Sequence, residues 1–456
     1  MTTIGELRGR VWGDVVVAGD GTYDGQRRVY NAMHDRRPDV IVRCTDAADV
    51  IAAVDYARHS GTAVAIRGGG HSVAGFGTCD GGVVIDLSPM SAVRVDPTRA
   101  IACAGGGATW GDFDHATHAR GLATTGGVVS TTGVGGLTLG GGIGHLTRRC
   151  GLTIDSLQSV DVVTADGRLV TATEYENADL FWAIRGGGGN FGVVTSFEFA
   201  LHPIATIVGG PILYDAADAA AVMAFFRDFI AEAPDELGCF FRWGLAAPLA
   251  FIPAASHGEA LCGLVSCWSG PLREAEQMFK PLLDIAEVKA HNVQTMPYPA
   301  LNCASDAMVP PGMQHYWKAD FVAELTDEAI AAHAEHGPLT PTMSSTMHLF
   351  AINGAVHRVG PDETAFGHRD KNFVAVVAGA WPDPADNDRN MAWVADYHAA
   401  IHPHSGCDGS YVNFLGGDDA DRTAASFGGN YARLRAVKRS WDPNNLFRVN
   451  HNIPPG

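Results

Sequence analysis

The spacing of apolar residues divides the chain into two stretches of different character. In the first, Ala47 to His59 (AADVIAAVDYARH) brings Val50, Ile51, Val54 and Tyr56 or Ala57 near one helical face. TAVAIR follows as a short β-rich run that ends in glycines. VVIDL, VDVVTADG and VVTSFEFAL read as further strands, the second running through an Asp-Gly turn into RLVTAT as a hairpin. After His202-Pro203 the pattern changes. Asp215 to Ala233 predicts an amphipathic helix with Val222, Phe226, Phe229 and Ala233 as its stripe, stopped by Pro234. Leu272 to Ile285 and Asp327 to Glu335 read as helices, and YWKADFVAEL, MHLFAI and NFVAVVAGAW as strands between and after them. That order predicts an α+β protein in which an antiparallel sheet is covered on one face by helices. The stretch from about Tyr411 onward lacks a long apolar stripe and reads as a tail docked on another domain.

Composition adds limits to this outline. At 456 residues the chain exceeds one ordinary core, and 46% apolar against 18% charged residues gives it enough apolar surface to fill two. A net charge of -18 opposes binding to nucleic acid or anionic membranes, although a local basic pocket is compatible with it. There is no apolar run of transmembrane length and no apolar core near the N-terminus, so a cytoplasmic protein is expected. The nine cysteines show no CxxC pair and are expected to be free, mostly packed thiols.

Glycine is the outlier, at 55 residues, well above an average of roughly 7%. Four clusters stand beside predicted strands: Gly68-Gly69-Gly70, Gly105-Gly106-Gly107, Gly140-Gly141-Gly142 and Gly186 to Gly189. Such loops let backbone N–H groups approach a phosphate closely, and one diphosphate-bearing cofactor would account for several of them. Gly187, Gly189 and Gly192 spell GxGxxG, but a strand-like run follows where a dinucleotide fold needs a helix. Gly70-His71-Ser72-Val73-Ala74 approximates a hydrolase nucleophile elbow, yet AGFGTCDGG cannot supply the helix that must follow Ser72.

Taken together, RGGGHS (Arg67 to Ser72), GVGGLTLGGGIGHLTRRCGLTIDSL (Gly133 to Leu157), DLFWAIRGGGGNFGVVTSFEF (Asp179 to Phe199) and YARLRAVKRSWDPNNLFRVNHNI (Tyr431 to Ile453) resemble the berberine bridge enzyme-like flavoproteins. That family lies in the vanillyl-alcohol oxidase superfamily and includes bacterial 6-hydroxynicotine oxidases. The resemblance implies a two-lobed FAD-binding domain built from residues 1–203 and the returning segment 411–456, with a substrate-binding domain at 204–410. It implies FAD joined covalently to His71, the histidine of the RxGGH motif, because a neutral imidazole is a nucleophile near neutral pH. Cofactor contacts are expected from Arg67, Gly68, Gly69, Gly70, His71, Ser72 and Gly75; from Thr131, Thr132, Gly133, Gly135, Gly136, Gly142 and Gly144; and from Val194, Asn450 and Asn452. Relatives with a second link use a cysteine where this chain has Val129, so a single link is expected. The small Thr132 in the oxygen-gating place implies an oxidase that passes electrons to O2 and releases hydrogen peroxide.

The expected reaction is hydride transfer from a small alcohol, sugar or amine carbon to FAD. Alternatives are a dehydrogenase with another acceptor, a flavin-binding protein without activity, and a hydrolase using Ser72. The active-site acid or amide of plant relatives falls on Val376 here, and Phe414 takes the second aromatic place of YVNF, which favours a substrate that loses its proton easily or a base from elsewhere. His348 and Tyr411 are the catalytic candidates. Tyr316, Lys318, Phe350, Val376, Asn413 and Phe414 are the substrate-pocket candidates. His402, His404 and Cys407, and His333 with His336, form no recognised metal-ligand set, and no metal is expected.

Overall fold

The computed structural model describes residues 3–456. Its strands form three sheets. The first joins β1 (Asp14–Val17), β2 (Val40–Arg43), β3 (Val64–Arg67) and β4 (Val83–Asp86) in the order β1-β2-β4-β3, with β4 parallel to both β2 and β3. The second is antiparallel: β5 (Val93–Asp96), β6 (Ile101–Gly105), β7 (Leu157–Val163), β8 (Leu169–Thr173) and β9 (Val193–Ala200), ordered β5-β6-β9-β7-β8. The expected hairpin is its β7–β8 pair, in which Val162 faces Val170.

The helix Ala47–Ser60 crosses between parallel strands of the first sheet. Asp46 caps it by accepting from the Asp49 N–H, and Gly61 ends it in the left-handed region. It buries Val50, Ala53, Val54 and Ala57 against Val42, Val83 and Ile85. Ile51 and Tyr56, expected on the same face, pack only at its margin.

The third sheet holds β10 (Thr206–Asp215), β11 (Leu237–Leu245), β12 (Ala260–Trp268), β13 (Val288–His291), β14 (Gln294–Pro297), β15 (Gln314–Val322), β16 (Thr346–Ala351) and β17 (Phe373–Trp381). Its order is β13-β10-β12-β11-β16-β17-β15, with β14 also on β10, and its pairs are antiparallel. Side chains alternate between its faces. Phe241, Trp243, Met347, Leu349, Ala375 and Val377 meet the helices Ala219–Glu232, Asp327–His336 and Asn387–Ile401 in one core. Each large side chain fully buried there contributes about 2 kcal/mol. The opposite face, with Phe240, His348, Phe350 and Val376, looks toward the glycine-rich half.

Three local readings differ from expectation. Asp215 accepts from the Ala217 N–H and holds a 3-10 turn, so the helix begins at Ala219. Its buried stripe is Ala219, Val222, Met223, Phe226 and Ile230, while Phe229 and Ala233 are only partly covered. Leu272–Glu274 is likewise a 3-10 turn ahead of the helix Ala275–Leu283. The tail contains the helix Tyr431–Trp441, whose buried residues are Leu434, Val437 and a lysine. The Lys438 ammonium donates to Asp442 and to the carbonyls of Asn190 and Phe447, which docks the tail on the second sheet's core.

Candidate active site

A cavity of about 720 Å³ lies between the glycine loops and the open face of the third sheet. The loops pack so closely that side chains would not fit. A Cβ on Gly69 would overlap the backbone nitrogen of Gly133, and one on Gly68 would come within 2.9 Å of the Gly106 carbonyl. Elsewhere the loops leave room: nothing lies within 4 Å of where a Cβ would stand on Gly136 or Gly189. The buried amide oxygens of Asn450 and Asn452 have no partner among the described residues. Close-set backbone, open glycine positions and orphaned polar atoms together fit a long dinucleotide.

His71, just past β3, stacks on Tyr30 with ring centroids 3.8 Å apart and an 18° tilt, and Tyr30 stacks in turn on His315 at 4.6 Å. Burial, and then the nearby His315, lower the His71 pKa to about 3, so the ring is neutral at any ordinary pH. Its Nε2 lies 2.8 Å from the Thr131 hydroxyl, and Nδ1 faces the Thr132 hydroxyl at 3.5 Å. Asn31 ties this loop to β15, donating to the carbonyls of Val73 and His315 and accepting from the His315 N–H. Arg67 has a different use: it lines the cavity, but its guanidinium donates to the buried Asp86. Its charge is thereby spent inside the first sheet.

On the opposite wall, cross-strand pairs order the side chains. Arg242 of β11 stands beside His348 of β16, which stands beside Val376 of β17; the next row is Phe240, Phe350 and Val374. Burial first, then the charge of Arg242 and the neighbouring His145, lower the His348 pKa to about 3. The Tyr411 hydroxyl accepts from the Gly142 N–H at 2.8 Å and from the Asn413 amide at 2.7 Å, which fixes the Gly140–Gly142 loop. With both lone pairs occupied, Tyr411 retains only its own proton to offer, and burial raises its pKa further.

The structure thus brings most sequence candidates to one cavity: Gly68 to Ser72, Thr132, Gly133, Gly135, Gly136, Val194, Asn450, His348, Tyr411, Phe350, Val376, Asn413 and Phe414 all line it, as does Val129. Gly75, Thr131, Gly142, Gly144 and Asn452 stand behind the lining. Gly75 (φ +72°) packs on His34, and Gly142 (φ +89°) on Thr153. Tyr316 and Lys318 do not reach the cavity. They share the other face of β15, where Tyr316 donates to Asp418 and Lys318 bridges Asp418 and Asp419. Alternation puts His315 and Trp317 into the cavity instead. Sequence reasoning also missed Tyr30, His145, Arg242 and His451; an arginine amid the aromatic run FFRWGL was the available signal for one of them.

The hydrolase alternative finds no support in the geometry. No helix follows Ser72, whose hydroxyl accepts from the Phe76 N–H. All nine cysteines are free. The one cluster of metal-ligand types among the described residues, Asp320 with His398 and His402, already carries the Arg422 guanidinium on its carboxylate. Among the described residues no helix is long and apolar enough to cross a membrane.

A cavity walled by close-packed glycine loops on one side and a side-chain-bearing sheet on the other fits a dinucleotide cofactor facing a substrate. Residues 38–173 match the FAD binding domain family and residues 410–454 the berberine and berberine-like family. An uncharacterised FAD-linked oxidoreductase of Bacillus subtilis is 31% identical over 456 residues, covering 98% of both chains. (R)-6-hydroxynicotine oxidase of Paenarthrobacter nicotinovorans is 30% identical, covering 98% of this chain and 97% of its own. The crystal structure of 6-hydroxy-D-nicotine oxidase from Arthrobacter nicotinovorans superposes with a TM-score of 0.87 at 26% identity over 98% of both chains. Glucooligosaccharide oxidase from Acremonium strictum, described with a 6-S-cysteinyl, 8α-N1-histidyl FAD, gives 0.85 at 24% identity over 97% of both. The chain belongs to the berberine bridge enzyme-like FAD-linked oxidoreductases and is an enzyme.

Proposed function

We propose that this enzyme is an oxidase that holds FAD through one covalent bond from His71 Nδ1 and moves a hydride from a small organic molecule to it, with O2 as the final acceptor. The carrying observation is the setting of His71. It is neutral, stacked on Tyr30, and held at Nε2 by Thr131. When Nε2–H donates to that hydroxyl, Nδ1 keeps its lone pair for the flavin 8α carbon. Val129, which takes the place of the cysteine that relatives with a second link use, lines the cavity, and this supports a single link.

Bound FAD supplies the two-electron acceptor. The glycine loops at 68–70, 133–136 and 187–189 would hold its diphosphate through backbone N–H groups, and the unpartnered Asn450 amide oxygen would accept from an N–H or O–H elsewhere on the cofactor. His348 is neutral and lines the cavity as the group placed to take a hydrogen bond from a substrate O–H or N–H, and Tyr411 is placed to donate one. Thr132 leaves room for O2. The working division is FAD-binding segments 1–203 and 411–456 around a substrate segment 204–410. Similarity to (R)-6-hydroxynicotine oxidase supports a small ring-bearing substrate.

Anaerobic mixing with alcohol, sugar and amine panels tests this reading. The expected result is bleaching of the flavin by one class, then recovery with stoichiometric peroxide when O2 is admitted. Bleaching that recovers only with an added dye would make the enzyme a dehydrogenase. No bleaching by any class would remove the oxidase reading.

A further inference from the structure

Arg242 is the cation of the cavity that nothing among the described residues answers. Among the described residues its guanidinium makes no hydrogen bond or ion pair, and burial alone perturbs it. Among the described residues no aspartate or glutamate lines the cavity, and the other lining arginine, Arg67, is already joined to Asp86. The strand makes room for the group. Arg242 pairs with Gly263 on one side, and its next neighbour on the same face is Gly244, where a Cβ would overlap the guanidinium. A guanidinium cannot shed its proton to suit a buried setting, so its low-dielectric position is costly until an anion meets it.

We propose that Arg242 docks an anionic group, most simply a carboxylate, on a substrate whose apolar ring lies along Phe240, Phe350, Phe414 and Trp317. A carboxylate can take two parallel N–H···O bonds from the fork, which also fixes the direction in which the ring points. The four aromatic side chains line the same cavity as the arginine. An anion there offsets the positive charge that weighs against protonation of His348, the residue paired with Arg242 across the sheet. The protein's net charge of -18 makes such a ligand unwelcome elsewhere on the surface. The assignment rests on the oxidase reading and names the substrate class of that site.

Calorimetric titration of the flavin-loaded enzyme with benzoate and with benzamide isolates the charge, since the two share a ring. Benzoate is expected to bind at least about tenfold more tightly than benzamide. Arg242→Met is expected to weaken benzoate roughly 10- to 100-fold while leaving benzamide within about twofold. Arg242→Lys keeps the charge but not the fork and is expected to fall between; retained flavin absorbance shows that each variant has folded. The proposal is overturned if wild-type enzyme does not prefer benzoate, or if Arg242→Met weakens both ligands equally and shifts the flavin spectrum, which would assign the arginine to the cofactor. Should Arg242→Met not fold, the wild-type preference and the Arg242→Lys value decide. Failure here, with flavin still reduced by a neutral alcohol or amine, removes the anion site and leaves the oxidase reading standing; an enzyme that carries no flavin removes the oxidase reading itself.

Discussion

The two walls of the cavity are built by different means. The N-terminal wall is backbone: glycines so close-set that Gly69 and Gly133 exclude each other's side chains. The facing wall is side chain: rows of aromatic, histidine and arginine residues on one face of a sheet whose other face is a helix-covered core. A backbone wall suits a ligand whose phosphates never change, because N–H groups are the same in any sequence. A side-chain wall can be rewritten residue by residue without disturbing the fold, which suits the part that chooses the substrate.

The largest effect expected from this contrast is on Gly69. Gly69→Val forces the branched side chain against the Gly133 backbone, costing about 3 kcal/mol or more, and should leave little folded enzyme in a thermal melt. Gly136→Val sharpens the comparison. Among the described residues nothing beyond its own helix lies within 4 Å of its Cβ position, so the apoprotein should melt within about a degree of wild type while flavin content falls severely. Equal stability losses in the two variants would mean that both glycines serve folding and that the open position is not a cofactor contact.

The same contrast explains what was legible in the sequence. Glycine clusters announce a backbone wall directly, so Gly68 to Gly70, Gly133, Gly135 and Gly136 could be named with His71 from motifs alone. The sheet wall is written in alternation, and alternation shows which residues share a face without showing which face meets the cavity. Tyr316 and Lys318 do share one, but Asp418 and Asp419 hold them on the far side. His315 and Trp317, one step out of phase, are the residues that enter. Val376 faces the cavity because its strand sits between β15 and β16, whose pairings fix it beside His348. Tyr30 lies far from His71 in sequence and meets it only through folding. The helix Tyr431–Trp441 escaped notice because a lysine occupies part of its buried stripe, and only the carbonyls around Lys438 make that position favourable.

The junction between the walls should show its own pH dependence. Asp114, on the helix Trp110–His118, accepts from Asn302 at 2.7 Å. Burial, outweighing that hydrogen bond, pushes its pKa up to about 7. The folded state therefore favours the protonated acid, so stability is fullest below the unfolded value near 4 and is lost as pH rises through about 7. Asp114→Asn should match wild type near pH 4 and exceed it by roughly 2 kcal/mol at pH 8, read as the difference in unfolding free energy. A constant difference across that range would show that Asp114 does not titrate there.

A smaller effect is expected at Thr131. Thr131→Val removes the hydroxyl at His71 Nε2 and should slow covalent attachment about tenfold when apoprotein is mixed with FAD. Because His71 is protonated only below about pH 3, the wild-type attachment rate should be flat from pH 5 to 9 as far as this residue is concerned. A rate that climbs through pH 6–7 would show that burial does not hold the imidazole neutral.

The most direct test is the mass of the denatured polypeptide. Wild-type protein unfolded in acid should carry the added mass of one FAD, located by fragmentation on the peptide containing His71, and His71→Ala should carry none. A wild-type chain at its bare polypeptide mass, or one bearing the flavin on another residue, would contradict the account.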